Sequence, residues 1–234
     1  MYLLIGTYTS KTSEGIYVYK FNTQTGDFSP VSIAKGVKNP SFLAISPDKR
    51  FVYSVAEVNG GAVNAYSFDK NTGTLTFLNT QSAGGNGPCH VATDKKGKWV
   101  MVGNYGGGSL SILPVQADGS LGVATQTIQH EGKSVNAARQ EKAHVHSINV
   151  APNNVDVFVP DLGMDKIMTY TLDTKAGRLL PGNPAFTAAT PGAGRHSPGL
   201  SSCTGCLFMP RGYRPWKRTC CARAGRRFAT TSGG

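Results

Sequence analysis

The 234-residue chain carries 24 Lys and Arg residues against 13 Asp and Glu, a formal net charge of +11. With 39% hydrophobic residues, 16% charged residues and 29 glycines, the composition is that of a globular chain with many turns. No apolar run approaches the roughly 18 residues of a membrane span, and residues 1–6 lack the basic region and apolar length of a secretory signal. We therefore expect a cytoplasmic protein with no membrane partner.

The positive charge is concentrated near the end of the chain. From Arg195 onwards there are eight basic residues and no acid, which leaves 16 basic residues against all 13 acids in residues 1–194. The net charge of this body, +3, is ordinary for a folded protein, so the total does not indicate a nucleic-acid partner.

Short apolar runs separated by turns predict β-strands from the start of the chain. Turn-like residues occur at 22–27 and at 47–50, between successive runs. Nowhere does an apolar spacing of three and four persist for three helical turns, so we expect an all-β fold. The first five runs are residues 2–8, 16–21, 28–34, 42–46 and 51–57.

The segment 61–105 is a unit that recurs along the chain. It contains two short strands joined by a polar turn, a Gly-rich connector, and two further short strands. Four strands in about 45 residues is the size of one blade of a β-propeller. The turn glycines of successive copies are 47, 46 and 58 residues apart, the last interval containing an insertion; they are Gly26, Gly73, Gly119 and Gly177. We expect about four blades of four antiparallel strands.

The connector 139–146 is the densest polar cluster in the body. His144 and His146 point to the same side if this segment is extended, and two such imidazoles can share a metal or divide acid–base work. A pair of histidines that only completes a turn is the alternative. Without a third ligand nearby we prefer the acid–base role and expect no metal. Equivalent or adjacent connectors, which converge on one face of a propeller, carry His90, Arg139, Arg195 and His196.

Polar side chains also end three apolar runs. Glu57, Asn104 and Asp161 each follow such a run, and all three are expected to face the central channel. Glu57 has the alternative of satisfying backbone groups only. Neither a Ser nor a Cys nucleophile is indicated, because Cys89 has no base partner in the pattern and no G-x-S-x-G motif occurs.

The strand pattern stops after residue 196. Residues 197–234 are rich in Arg, Cys, Gly, Pro and Ser and contain no acid. We interpret this tail as translation in a shifted frame; a disordered basic arm and a metal site starting at Cys203-x-x-Cys206 are the alternatives. The adjacent Cys220 and Cys221 make tetrahedral closure around one zinc ion awkward. We therefore divide the chain into a partial propeller, 1–196, and an irregular Cys/Arg-rich tail, 197–234.

Several motifs in residues 1 to about 196 resemble the seven-bladed propeller lactonase family, whose bacterial members include 6-phosphogluconolactonases and whose fungal relatives include carboxymuconate cyclases. The resemblance implies hydrolysis of a small phosphorylated sugar lactone, 6-phospho-D-glucono-1,5-lactone, in the pentose phosphate pathway, without a required cofactor. The motifs are Leu4-Ile-Gly-Thr-Tyr-Thr9, Gly15-Ile-Tyr-Val-Tyr19, Asn39-Pro-Ser-Phe-Leu-Ala-Ile-Ser-Pro47, Gly103-Asn-Tyr-Gly-Gly-Gly-Ser109, Arg139-Gln140, His144-Val-His-Ser147 and Pro160-Asp-Leu-Gly163.

The resemblance also implies a site on the connector face. His144, His146 and Arg195 are its catalytic candidates: one histidine would remove a proton from water, and the arginine would stabilise the oxyanion or hold the phosphate. The candidates for substrate contact are Arg139, Gln140, His90, Glu57, Asn104, Asp161 and His196.

The chain departs from the family in blade number. Seven blades are expected and about four are present, and the N-terminal strand of the family usually completes the last blade. Residues 2–8 are therefore expected to lack their sheet, and this chain to be poorly stable and impaired as an enzyme. A non-catalytic propeller that binds a ligand or a protein and a lactonising enzyme similar to carboxymuconate cyclase are the alternative functions.

Overall fold

The computed structural model describes residues 1–188 and 206–208, which form sixteen strands and, within these ranges, no helix. No segment of the described part is therefore a helix that could span a bilayer. The strands are β1 (Tyr2–Ile5), β2 (Gly15–Phe21), β3 (Phe28–Lys35), β4 (Leu43–Ile45), β5 (Phe51–Ala56), β6 (Ala62–Asp69), β7 (Thr74–Ser82), β8 (Pro88–Thr93), β9 (Trp99–Asn104), β10 (Ser109–Pro114), β11 (Gln126–Gln129), β12 (Asn149–Val150), β13 (Asp156–Asp161), β14 (Lys166–Asp173), β15 (Arg178–Ala188) and β16 (Cys206–Phe208).

The strands pair into four antiparallel sheets of four strands each. Their orders are β16-β1-β2-β3, β4-β5-β6-β7, β8-β9-β10-β11 and β12-β13-β14-β15. The prediction of an all-β chain with about four propeller blades is confirmed. The phase predicted for the repeat is wrong, because the segment 61–105 holds the last two strands of the second sheet and the first two of the third. A repeat fixes a period but not the point at which one sheet ends.

The first sheet corrects a second expectation. Residues Tyr2–Ile5 have their sheet, since β1 pairs with β2 on one side and with β16 on the other. The register places Leu3 opposite Phe208 and Ile5 opposite Cys206. The tail lacks the alternating pattern that predicts a strand, yet the edge of β1 offers free backbone groups with which three residues of almost any sequence can pair. The rest of the tail lies outside the described residues.

The hydrophobic core consists of three clusters, one between each pair of consecutive sheets. Alternation along each strand divides the side chains between them: Val52 packs toward the first sheet, and Tyr53 toward the third. Met101 likewise joins the cluster against the fourth sheet, while Val100 and Val102 face the second. Each middle sheet is thus apolar on both faces, and the sheets stack in sequence order.

Three of the four turn glycines of the repeat receive an aromatic ring from the preceding sheet, whereas a Cβ at Gly26 would meet nothing within 4 Å. The ring belongs to the first residue of that sheet's second strand, and a Cβ added to the glycine would lie within 2.1–2.5 Å of a ring atom. These ring-on-glycine contacts pair Tyr2 with Gly73, Phe51 with Gly119, and Trp99 with Gly177. Each glycine also has φ between +64° and +87°, a conformation that glycine adopts without steric cost. Repetition of the glycine therefore has two causes, backbone conformation and a close ring.

Successive antiparallel strands separate the molecule into two ends. The turns that carry these glycines lie at one end, and the connectors between sheets lie at the opposite, connector end. The third connector, residues 130–148, is the longest of those within the described part. All candidate site residues that the structure describes belong to the connector end.

Candidate active site

The histidine pair lies on an extended segment held against β13. The amide of His146 donates to the carbonyl of Pro160 at 3.0 Å, and the amide of Leu162 donates to the carbonyl of His144 at 2.9 Å. Both imidazoles contact the Tyr105 ring, His144 stacked at 4.5 Å between centroids and His146 edge-on at 6.1 Å. The two side chains therefore lie on the same side of the segment, around one aromatic ring.

His144 is buried and has an acceptor at each ring nitrogen. Its Nδ1 lies 2.9 Å from the carbonyl oxygen of Tyr105, and its Nε2 lies 3.1 Å from Oε1 of Glu141. Hydrogen bonds from the backbone amide of Glu141 itself and from His144 lower the pKa of the Glu141 carboxyl. Each ring nitrogen of His144 therefore faces an oxygen atom of the protein, and neither nitrogen is left open to another partner.

His146 differs from His144 in having open ring nitrogens. It is half-buried, and no group in the described part of the chain forms a hydrogen bond with its imidazole nitrogens. Burial, and next the positive charge of Arg139, lower the pKa of His146. At neutral pH the ring is therefore neutral and has a lone pair available, which is the state that a general base requires.

His90 lies beside this pair with a fixed tautomer. The amide of Ile148 donates to Nδ1 of His90 at 3.3 Å, so the proton of the neutral ring is on Nε2. The ring packs on Phe42 with centroids 4.2 Å apart. Burial, and then the charge of His146, lower the pKa of His90 to about 4. His90 is thus a neutral imidazole that can donate a hydrogen bond from Nε2.

The neighbouring thiol and carboxylate are held by protein groups. Cys89 donates to the carbonyl oxygens of Val145 and His146 at 3.6 and 3.4 Å, and burial, followed by the charge of Glu57, raises its pKa to about 12. The thiol therefore stays protonated and is a poor nucleophile. Glu57 is half-buried, and its Oε2 accepts hydrogen bonds from the hydroxyls of Ser41 and, at 2.8 Å, Tyr8.

Asn104 and Asp161 are buried rather than exposed to a channel, contrary to the position predicted from the strand pattern. Asn104 donates from Nδ2 to the carbonyl of Ala83 at 2.9 Å, and its Oδ1 is the one buried side-chain N or O atom in the described residues without a partner. Both oxygens of Asp161 are hydrogen-bonded within the protein. Polar side chains at these strand ends satisfy donors and acceptors of adjacent connectors, which buried backbone requires.

Gln140 is likewise used inside the protein. Its Oε1 accepts the amide of Asn136 at 2.9 Å, and its Nε2 donates to the carbonyl of Leu162 at 2.8 Å. Arg139, next to it, is exposed. Gln140 therefore shapes the connector, and Arg139 carries its charge at the surface near His146. The remaining candidates, Arg195 and His196, lie outside the described residues.

The structure adds residues to the site that the sequence pattern did not single out. Tyr105 contacts both histidines, Tyr8 contacts Glu57, and His130 is bound to Asp161. Tyr105 follows Asn104 in a motif, which is a usable signal, whereas His130 has no motif partner in sequence. No group of three or more His, Cys, Asp or Glu side chains in the described ranges is arranged to hold a metal ion.

Comparison with known proteins decides the family. The model of the seven-bladed β-propeller lactonases matches residues 2–198. This chain belongs to that family. It is 40% identical over 195 residues to the 6-phosphogluconolactonase of Bacillus subtilis, covering 82% of this chain and 54% of the relative. It is 33% identical to that of Formosa agariphila, covering 75% and 51% of the two chains.

Solved structures of the same architecture are also similar. The periplasmic gluconolactonase of Pseudomonas aeruginosa matches with a TM-score of 0.77 at 35% identity, over 82% of this chain and 56% of the other. A protein from Bacteroides fragilis matches with a TM-score of 0.78 at 38% identity, over 82% and 56%. The chain spans about half the length of the curated relatives that it matches.

Proposed function

We propose that the connector end binds and hydrolyses a sugar lactone, with 6-phospho-D-glucono-1,5-lactone as the substrate. The observation that carries this proposal is the imidazole of His146, which has no hydrogen-bond partner in the described residues and whose pKa is lowered by burial and by the charge of Arg139. The names of the Bacillus and Formosa relatives support the phosphorylated substrate.

His146 acts as the general base in the proposed reaction. Its lone pair takes a proton from a water molecule as the water oxygen bonds to the lactone carbonyl carbon. The bond between that carbon and the ring oxygen then breaks, and the proton passes from His146 to the departing ring oxygen, which becomes a hydroxyl. The acid product loses its own proton to solvent. The reaction needs no cofactor or metal.

His90 and Arg139 stabilise negative charge. The Nε2–H of His90 is a neutral donor for the oxyanion of the tetrahedral intermediate, a contact that strengthens as charge develops. Arg139, exposed at the same end, presents a planar set of donors that suits the phosphate of the substrate. Arg195 is proposed for the same role.

His144 has a supporting role in this scheme. Its imidazole is fixed by Tyr105 and Glu141, so it holds the aromatic ring against which His146 lies. The base is assigned to His146 rather than to His144 because, of the two rings, only that of His146 has no hydrogen-bond partner in the described residues.

The experiment is a lactone-opening assay at pH 7.5 with the spontaneous rate subtracted. The substrates are the phosphorylated lactone and glucono-1,5-lactone, and each is assayed with untreated and with chelator-treated protein. Turnover of the phosphorylated substrate that is unaffected by chelator and lost in His146→Asn supports the proposal. A rate equal to the spontaneous rate, together with no calorimetric binding of 6-phosphogluconate, contradicts it and leaves a binding propeller as the function.

Glucono-1,5-lactone is a second candidate substrate, because the similar Pseudomonas structure is named a gluconolactonase. A preference for glucono-1,5-lactone over its 6-phosphate would assign this substrate, and would place the reaction outside the cytoplasm as in that relative. With the phosphorylated substrate, we propose a cytoplasmic location.

A further inference from the structure

Three titratable side chains form a buried row next to the histidine pair. Asp161, His130 and Tyr170 are only 2%, 5% and 6% exposed. Oδ2 of Asp161 lies 2.7 Å from Nδ1 of His130, and Nε2 of His130 lies 2.8 Å from the hydroxyl of Tyr170. None of these groups reaches the surface, so the row has a role within the protein.

The hydrogen bonds of the row connect the tyrosine to the carboxylate. The Tyr170 hydroxyl donates to Nε2 of His130, and Nδ1 of His130 donates to the Asp161 carboxylate. Burial, and next the charge of Asp161, raise the pKa of Tyr170 to about 12, which keeps the hydroxyl protonated as a donor. His130, itself held by Tyr170, thereby fixes the orientation of the Asp161 carboxylate through its Oδ2 atom.

The other oxygen of the same carboxylate holds the site. Oδ1 of Asp161 accepts the backbone amide of His144 at 2.8 Å and that of Met164 at 3.2 Å. Asp161 also forms a β-bridge with Val145, between the two site histidines. A rotation of the carboxylate would release the amide of His144 and leave a buried donor unpaired, which is costly.

The row closes the third connector at both ends. His130 is the first residue after β11 and His144 is the residue at which the connector returns to the sheet. One oxygen of Asp161 binds each of them, so the thirteen residues 131–143 form a loop that is clamped by a single carboxylate. That loop contains Arg139.

We propose that His130 is a positioning residue of the lactone site: through Asp161 it fixes the segment that carries His144 and His146 and the loop that carries Arg139. The inference rests on the proposed function for its effect on catalysis. Its structural part, the clamp on the amide of His144, is independent of any activity.

The test uses two amide replacements that differ in where the nitrogen lies. In His130→Asn the side-chain amide lies near the position of Nδ1 and can still donate to Asp161; in His130→Gln it lies near Nε2 and cannot. We expect kcat within about threefold of wild type for His130→Asn and a fall of roughly 10- to 100-fold for His130→Gln, with KM little changed, because misplacement of a base by about 1 Å reduces turnover on this scale. Tyr170→Phe removes the hydroxyl but keeps the hydrogen bond between His130 and Asp161, so its kcat should be similar to that of His130→Asn.

Hydrogen exchange of the His144 amide is the second readout. It should accelerate at least about tenfold in His130→Gln and remain near wild type in His130→Asn, in line with an opened clamp. If His130→Asn and His130→Gln lose kcat and Tm equally, His130 has only a structural role and the proposal is overturned. An unchanged exchange rate of the His144 amide in His130→Gln would also overturn it. If wild type opens no lactone, the proposed function fails, and the exchange result alone still decides whether the clamp exists.

Discussion

The backbone amide of Ile148 donates to Nδ1 of His90 at 3.3 Å, which places the proton of the neutral ring on Nε2, while Phe42 packs on the face of the ring. The contact joins β8 of the third sheet to the segment that follows the histidine pair. Burial of this ring makes the stability of the protein depend on pH.

The first prediction concerns His90 and acid. Its pKa is about 4 in the folded protein and about 6.5 in an unfolded chain, so the unfolded state binds more protons between these values. Stability is therefore fully present above pH 6.5 and is lost as the pH falls toward 4. Between pH 7.5 and 4.5 the free energy of unfolding should fall by about 2–3 kcal/mol through this group.

Urea unfolding of wild type and His90→Asn at both pH values measures this contribution. Asparagine can accept a hydrogen bond from the Ile148 amide at the position of Nδ1 but does not titrate. On acidification, the free energy of unfolding of His90→Asn should therefore fall by about 2–3 kcal/mol less than that of wild type. Equal losses in the two proteins would show that His90 is not held neutral.

The second prediction separates the two site histidines. His146→Ala should lower kcat by roughly 10²–10⁴-fold, the usual contribution of a general base, with little change in Tm because its ring forms no hydrogen bond within the described residues. His144→Ala should lower Tm, since it removes the contacts with Tyr105 and Glu141. The reverse pattern in steady-state kinetics and thermal unfolding would assign the base to His144.

The third prediction concerns the pH profile of the reaction. The positive charge of Arg139 helps to lower the pKa of His146, so Arg139→Gln should raise that pKa and move the acid limb of kcat/KM to higher pH. Lys142→Gln is the matched control, because the ammonium of Lys142 is bound to the carbonyl of Gly106 instead. If both variants move the limb equally, the effect belongs to general charge and not to Arg139.

The fourth prediction compares equivalent glycines of the repeat. Gly26 and Gly177 have φ of +82° and +64°, but a Cβ would meet nothing within 4 Å at Gly26 and a Trp99 ring atom at 2.1 Å at Gly177. Gly26→Ala should cost only the left-handed backbone conformation, about 1–2 kcal/mol.

Gly177→Ala should cost that amount plus about 2 kcal/mol or more for the displaced ring. Chemical denaturation of both variants provides the comparison. Equal costs would mean that the ring-on-glycine contact contributes nothing to the stacking of the sheets.

The sequence predicted the repeat from Gly26, Gly73, Gly119 and Gly177 because a left-handed backbone conformation favours glycine at such positions. The boundaries of the sheets were not predictable in the same way, since an apolar strand such as Trp99–Asn104 has the same pattern in whichever sheet it pairs. The pairing of β1 with β16 was also missed, because backbone hydrogen bonds leave no signature in side chains.

The grouping of the candidate residues was predictable from the sequence only in part. A connector rich in His and Arg indicated where polar groups meet, and the charge of Arg139 does act on His146, as that of His146 acts on His90. The use of Asp161 and Gln140 inside the protein depends on backbone groups from distant segments, which no spacing in the sequence reveals. His130 was missed for the same reason: its partners, Asp161 and Tyr170, are 31 and 40 residues away.

The ring-on-glycine contacts lie at the end of the sheets opposite to the candidate site. The interval between Gly119 and Gly177 is longer than the others by about a dozen residues, yet Trp99 meets Gly177 as Phe51 meets Gly119. Added length in a connector is therefore compatible with the same ring-on-glycine contact between one sheet and the next. A loop at the connector end can thus lengthen while the contacts that join neighbouring sheets at the other end are kept.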